Sequence, residues 1–353
     1  MALAPLVEKR RSDDPLIDRL IDGRYRIVGP LGAGGMGSVY RAVQVGLERE
    51  VALKVLPLGP AGGQDLEFVE RFCLEASVTA RLAHPNTVTI HDYGRSDDGI
   101  FYIAMEYLEG RTLAQLLESE GALSTARVLR IGAQIARGAR EAHRHGLVHR
   151  DLKPSNVMLV PREEEPDFVK VLDFGLARFY IGDGGNLTQT GAFLGSPQYM
   201  APELVRGAPA TPQSDVYSLG VILYELACGR PPFTAPSSIA VLLEHANAPP
   251  KRPRLVDPRI PVTLEQVILR AMAKDPRERY ASMDELIAAL AEAEAALDLP
   301  PSALGGSGPL LSDADVRALE VGARRRYWGR KLAPWVLGAI ALGGALLGLA
   351  RSG

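Results

Sequence analysis

His149-Arg150-Asp151-Leu152-Lys153-Pro154-Ser155-Asn156 is the stretch on which the reading of this 353-residue chain turns. Charges of both signs, an imidazole and an amide stand within one short segment, so it has no use as a core strand. Downstream, Asn156-Val-Met-Leu-Val160 and Phe168-Val-Lys-Val-Leu172 are strand-like, with the acidic run Glu163-Glu164-Glu165 as a solvated hairpin turn between them. The second strand closes on Asp173-Phe174-Gly175, seventeen residues after Asn156. Such a tripeptide means little alone. Its spacing from Asn156 and its place at a strand end give it weight.

Working outward, Gly32-Ala33-Gly34-Gly35-Met36-Gly37 fits G-x-G-x-x-G, a spacing shared with dinucleotide-binding turns. Such a turn has to open a helix whose N-terminus receives the pyrophosphate. Here Ser38-Val39-Tyr40-Arg41-Ala42-Val43 continues as an alternating strand, so the glycines link two strands. Glycine in that hairpin lets backbone N–H groups approach phosphate oxygens without a Cβ clash. Seventeen residues after Gly37 comes Val51-Ala52-Leu53-Lys54, where a lysine on an inward strand face is costly unless paired. A helix starting near residue 65, with Leu66, Val69, Cys73, Ala76 and Ala80 at helical spacing, offers Glu67, Glu70 and Glu75 as partners.

Together these motifs resemble a eukaryotic-type protein kinase, in particular the bacterial serine/threonine kinases of mycobacterial type. The resemblance covers roughly residues 25–292 and implies an α+β, bilobal fold. Residues 25–108 would form an N-lobe of small antiparallel sheet plus one helix, and 109–292 a larger helical C-lobe. It implies ATP with Mg²⁺, or Mn²⁺, as cofactors and protein Ser/Thr hydroxyls as acceptors. In it Asp151 accepts the hydroxyl proton, Lys153 neutralises the transferred phosphoryl group, and Lys54 with Glu75 holds the α/β phosphates. Glu75 is preferred because Arg81-Leu-Ala-His-Pro-Asn86 resembles the turn that succeeds this helix in kinases. Asn156 and Asp173 would ligate the metal, since hard cations take carboxylate and carbonyl oxygens and keep waters. The flap Leu31–Val39, including Ser38, would cover the nucleotide. Leu31, Val39, Ala52 and Met158 would sandwich the adenine, with Met105, Glu106 and Leu108 as gatekeeper and hinge; each of these also suits an ordinary core.

The resemblance carries supporting roles as well. Ala201-Pro202-Glu203 would pair with Arg279, and Asp215 would hold the catalytic-loop backbone. Arg150 precedes the catalytic aspartate, as in kinases switched by a phosphorylated loop, which points to Thr188 or Thr190 as the phosphosite. Ser196 takes the place usually held by threonine, and its hydroxyl is expected to reach the catalytic aspartate. Lys153 followed by Pro-Ser-Asn resembles serine/threonine rather than tyrosine kinases.

Composition agrees with one large globular domain: 46% of residues are apolar and 23% charged. A net charge of −2 gives no global reason to expect nucleic acid as a partner. The two cysteines, Cys73 and Cys228, read as buried thiols of a reducing compartment. Residues 1–24 are expected to be a flexible leader without signal-peptide order. Segments Thr87–His91, 101–107, 125–145, 216–228, 263–274 and 284–297 read as strand, strand and four helices in turn. Residues 293–332 form a juxtamembrane linker, rich in Pro, Gly and Ser at 298–312. Residues 333–350 hold no charge over about 27 Å of helix, enough to span a bilayer. Tyr327, Trp328 and Trp335 with basic residues at 324–326, 330 and 331 make an interfacial belt and a cytosolic flank, leaving 351–353 as an extracytosolic tail. Gly344-x-x-x-Gly348 offers a face for homodimerisation. Two other functions compete: a small-molecule phosphotransferase, which has no need of the A-P-E segment, and a pseudokinase scaffold, which usually lacks the lysine or an aspartate.

Overall fold

The computed structural model describes residues 14–34, 37–56, 66–174 and 196–297. The chain divides into two compact units, 1–306 and 307–353, and every described residue belongs to the first. Gly35, Met36, Gly175, Thr188, Thr190, most of the linker, the apolar span 333–350 and the tail lie outside the described residues. Among the described residues no helix is long and apolar enough to cross a membrane.

The N-terminal half is a six-stranded antiparallel sheet with one helix. Its strands are β1 (Leu20–Ile21), β2 (Tyr25–Gly34), β3 (Gly37–Gln44), β4 (Arg49–Leu56), β5 (Ile90–Arg95) and β6 (Phe101–Glu106), in the order β1-β2-β3-β4-β6-β5. Helix α1 (Leu66–Thr79) lies between β4 and β5 in sequence. Alternation sorts β4 onto two faces. Val51, Leu53 and Val55 join Tyr25, Tyr40 and Tyr102 in one apolar layer. Ala52 and Leu56 pack with Val69, Phe72 and Ala76 of α1 in the other. Lys54 therefore falls on the α1 face, inside the molecule.

Two expectations fail here for local reasons. Residues 20–21, read as leader, form β1 on the edge of the sheet, and Ile21 is buried. Asp14 accepts a hydrogen bond from the Tyr40 hydroxyl at 2.9 Å, so the ordered domain starts well before Tyr25. The strand expected at Thr87–His91 runs instead over Ile90–Arg95; Thr87 bridges Val171, and Val88 N–H donates to the Val171 carbonyl at 3.0 Å. Of the two apolar residues of that segment, Val88 lies at the crossing to Val171 and Ile90 opens β5 opposite Met105.

The C-terminal half is helical around a small three-stranded sheet. Strands β7 (Arg111–Thr112), β8 (Val157–Val160) and β9 (Phe168–Val171) pair antiparallel in the order β7-β8-β9. The expected hairpin over Glu163–Glu165 is thus present. The helices are α2 (Leu113–Glu120), α3 (Thr125–Arg144), α4 (Pro202–Val205), α5 (Pro212–Cys228), α6 (Ser238–Asn247), α7 (Pro253–Val256), α8 (Val262–Ala271) and α9 (Met283–Ala295). Helix α5 is buried along nearly its whole length, as its all-round apolar sequence requires. A Thr211/Ser214 capping box starts it and left-handed Gly229 (φ 69°) ends it. Helices α2, α4, α6 and α7 fall outside the segments whose spacing predicts a helix.

Candidate active site

The glycine segment is a hairpin, not a helix-opening turn. Gly32 faces Val39, Ala33 faces Ser38 and Gly34 faces Gly37 across β2 and β3. The register slips between Pro30 and Gly32, which places Leu31 in the irregularity with its side chain exposed. Val39 in turn faces Lys54 across β3 and β4, so the flap strand lies directly beside the lysine strand.

Lys54 is 4% exposed, and its Nζ meets Asp173 Oδ2 at 2.8 Å. The expected partner, Glu75, is buried on α1 with contacts of its own, but Lys54 does not pair with it in this structure. Asp173 wins because the backbone at the end of β9 turns sharply. Its φ is 58°, a left-handed value that Asp tolerates better than most residues, and this aims the carboxylate back at β4. Phe174 is fully buried, its ring centroid 4.9 Å from that of His149, and His149 Nε2 bonds the Leu172 carbonyl at 2.8 Å.

Asp151 is gripped from three sides. Lys153 Nζ lies 2.6 Å from its Oδ2, Asn156 Nδ2 donates to its backbone carbonyl at 2.9 Å, and Ser196 N–H donates to its Oδ1 at 3.3 Å. The Ser196 contact corrects the expectation of a hydroxyl bond: the backbone amide makes it, so the bond does not depend on the side chain. Asn156 Nδ2 also lies 3.4 Å from Asp151 Oδ2, and Leu172 N–H donates to the Asn156 carbonyl at 2.9 Å. That last bond joins the two strand ends, so Asn156 and Asp173 arrive side by side. With its amide nitrogen committed to Asp151, Asn156 keeps its amide oxygen for a cation. One carboxylate and one amide oxygen suit Mg²⁺, which takes the rest of its shell from waters and phosphates. Among the described residues no three His, Cys, Asp or Glu side chains converge as a protein-only metal cage.

The loop is held by α5. Asp215, 1% exposed, accepts from His149 N–H at 2.8 Å and Arg150 N–H at 3.0 Å, and His143 Nε2 lies 2.8 Å from its Oδ2. Burial alone would raise the Asp215 pKa, but His143 and these backbone donors outweigh it and hold the carboxyl below its ordinary value. Arg150 is left-handed (φ 69°), which that double grip enforces. Glu203 and Arg279 form the expected pair, bidentate at 2.8 and 2.7 Å, with Ser214 Oγ donating to Glu203 at 2.8 Å.

Val39, Ala52, Met105, Leu108 and Leu172 share one apolar cluster, the surface against which a flat ring would stack. Met158 is half-buried on β8. The Glu106 side chain turns away from this surface: its Oε1 takes Lys170 Nζ at 2.6 Å and Thr89 N–H at 2.7 Å. Lys170, which also donates to the Thr87 carbonyl at 3.1 Å, ties β9 to the hinge strand. Sequence reasoning missed Lys170 and His143. A lone lysine in the apolar run Phe168-Val-Lys-Val-Leu172 was the available signal for the first.

Comparison with known proteins agrees with this geometry. Residues 25–289 match the family model of the protein kinase domain. The serine/threonine-protein kinase pkn3 of Myxococcus xanthus is 43% identical over 281 residues, covering 78% of this chain and 51% of that protein. PrkC of Bacillus subtilis is 41% identical over 271 residues, covering 77% and 40% respectively. The chain thus spans about half, or less, of the length of these relatives. The crystal structure of the Mycobacterium tuberculosis PknI kinase domain superposes with a TM-score of 0.61 at 31% identity, covering 79% of this chain and 100% of that one.

Proposed function

The chain belongs to the protein kinase family, and from that premise we propose that it is a serine/threonine protein kinase acting on Ser and Thr hydroxyls of proteins. One observation supports this: Lys54 pairs with Asp173, Asp151 with Lys153 and Asn156, and the bond from the Leu172 amide to the Asn156 carbonyl joins the strand ends that carry the two groups. When bound, ATP with Mg²⁺ supplies an electrophilic γ-phosphorus and a stable leaving group. Asp173 and Asn156 would hold the metal, and Lys54 would exchange part of its bond to Asp173 for the phosphates. Asp151, oriented by Asn156 and the Ser196 amide, accepts the acceptor hydroxyl's proton. Lys153, already beside Asp151, screens the negative charge of the moving phosphoryl group. The Glu203–Arg279 pair favours a protein acceptor over a small molecule, because it anchors the segment that follows the catalytic loop.

The test is incubation of the full chain with labelled ATP and Mg²⁺ beside Lys54→Ala and Asp151→Asn. Label on the wild type alone supports the reading, whereas equal label on all three, or none, refutes it. Autophosphorylation at Thr188 or Thr190, read by Arg150, is the proposed switch. Replacing both threonines with alanine lowers activity on that reading, and unchanged kinetics would remove it. Residues 333–350 are proposed as a single membrane anchor that keeps residues 25–292 at the cytosolic face, with Gly344 and Gly348 as a dimer contact.

A further inference from the structure

The surface built by the later helices carries charge of one sign. From residue 196 to residue 277 every exposed charged residue is basic. Five of these cations, Arg230, Lys251, Arg252, Arg254 and Arg259, belong to α7 and the loops on either side of it and of α6. The whole chain has a net charge of −2, so the excess is local. Carboxylates of the same region are withdrawn from the surface. Glu265 is 1% exposed on α8, where Arg252 Nη2 binds it at 2.6 Å and the Arg254 backbone N–H at 2.8 Å. Those two bonds pin the loop to α8 and leave its side chains outward. Asp257 is taken by Arg259 at 2.8 Å, and Glu244 is half-buried on α6. The side chains of Arg230, Lys251 and Arg254 form neither a hydrogen bond nor an ion pair among the described residues.

Apolar side chains are interleaved with these cations. Ile239 and Leu243, one turn apart on α6, are 62% and 57% exposed, while Val241, Leu242 and Ala246 of the same helix are buried. Helix α6 is thus apolar on both sides, whereas a surface helix ordinarily turns polar residues outward. Leu255, beside Arg254 on α7, is 67% exposed, and Val262 at the start of α8 is 45% exposed. Four of the ten large apolar side chains exposed among the described residues therefore fall between positions 239 and 262, too many to be scattered surface residues.

The possible occupants ask for different chemistry. A second copy of this face would set its cations against their own kind. Nucleic acid uses the cations but gains nothing from exposed aliphatic groups beside them. An anionic lipid surface uses both, because headgroups attract Lys and Arg while Leu and Ile enter the acyl boundary. We propose that α6, α7 and the loop joining them form a membrane-contact face, with Lys251 and Arg254 at anionic headgroups and Leu243 and Leu255 at the acyl boundary. The anchor proposed for residues 333–350 would make the encounter intramolecular, so a weak surface affinity is enough, but the face itself rests on exposure and charge. Helix α6 also packs against Pro197–Tyr199, just past the Ser196 amide that holds Asp151, so lipid contact here sets how the acceptor side of the site is turned toward the bilayer.

The test places the full chain in nanodiscs of phosphatidylcholine alone, or of equal parts phosphatidylcholine and phosphatidylglycerol, and reads hydroxyl-radical oxidation of Leu243 and Leu255. Oxidation of both should fall about threefold or more in the anionic discs relative to the neutral ones, and recover in about 0.5 M NaCl, where the Debye length is only about 4 Å. The double variant Lys251→Glu/Arg254→Glu removes no side-chain bond, so it should keep its Tm and lose the protection. Equal oxidation in the two lipids, or protection that survives the charge reversal, overturns the face. Protection reproduced by single-stranded RNA without lipid also overturns it, by showing a general polyanion site. Co-elution with the neutral discs reports the anchor separately. Where that fails the anchor is lost, and oxidation on sedimented vesicles of the same anionic mixture decides the face alone.

Discussion

Replacing Arg279 with alanine should unfold the C-terminal half far more readily than its distance from the chemistry suggests. The guanidinium is fully buried and makes five hydrogen bonds: two to Glu203, and one each to the carbonyls of Ala273 (2.7 Å), Gln213 (2.9 Å) and Lys274 (3.2 Å). It also stacks over Tyr217, 4.9 Å from the ring centroid. Removing one partner of a buried pair costs about 3–5 kcal/mol, because the other charge stays behind unpaired. At about 2–4 °C per kcal/mol for a domain of this size, Tm should fall by about 6–20 °C. Calorimetry or circular dichroism is the assay, since both tryptophans, Trp328 and Trp335, lie outside the described domain. Acid gives a second reading. Burial pushes Glu203 up, but Arg279 and Ser214 outweigh it and hold the carboxyl below its ordinary 4.5. The wild-type pair thus contributes fully above that value and is lost as pH falls through the lowered one. Without Arg279, burial dominates and Glu203 protonates more easily, so the variant's deficit should narrow on acidification. A Tm drop below about 2 °C, or a deficit that widens in acid, would refute the argument.

Asp215→Asn keeps the shape of α5 but weakens the grip on His149 and Arg150; kcat should fall about 100-fold, with KM for ATP little changed in steady-state kinetics. Deleting residues 1–24 removes β1 and the buried Ile21 side chain, a loss of about 1.5–3 kcal/mol that urea unfolding would register. A leader without structure would show no change. Lys170→Met leaves Glu106 without its cation and frees the hinge strand from β9, so KM for ATP should shift more than kcat; equal changes in both would count against a hinge role.

Much of the candidate site was legible because its residues contradict their surroundings. Lys54 in an apolar strand, or Asp151 and Asn156 between two strands, have no structural use that composition could hide. Where sequence reading failed, the competing force was tertiary. β1 is two residues long and owes its existence to the edge of β2, so no periodicity announces it. Ser196 supplies a backbone amide, which every residue but proline carries, so its side chain misled. The partner of Lys54 was set by a backbone angle at Asp173 rather than by helical spacing on α1. Helices α2 and α6 are short, and each buries only a narrow strip.

The hold of Asp215 on His149 and Arg150 spans more than sixty positions of chain. During synthesis the loop around Asp151 leaves the ribosome long before the carboxylate that shapes it. Until α5 emerges and docks against α3, those two amides have only water to bind and the left-handed turn at Arg150 has nothing to enforce it. A nascent or proteolysed chain ending ahead of residue 215 therefore carries Lys54, Asp151, Lys153, Asn156 and Asp173 and still lacks the carboxylate that fixes the backbone at His149 and Arg150.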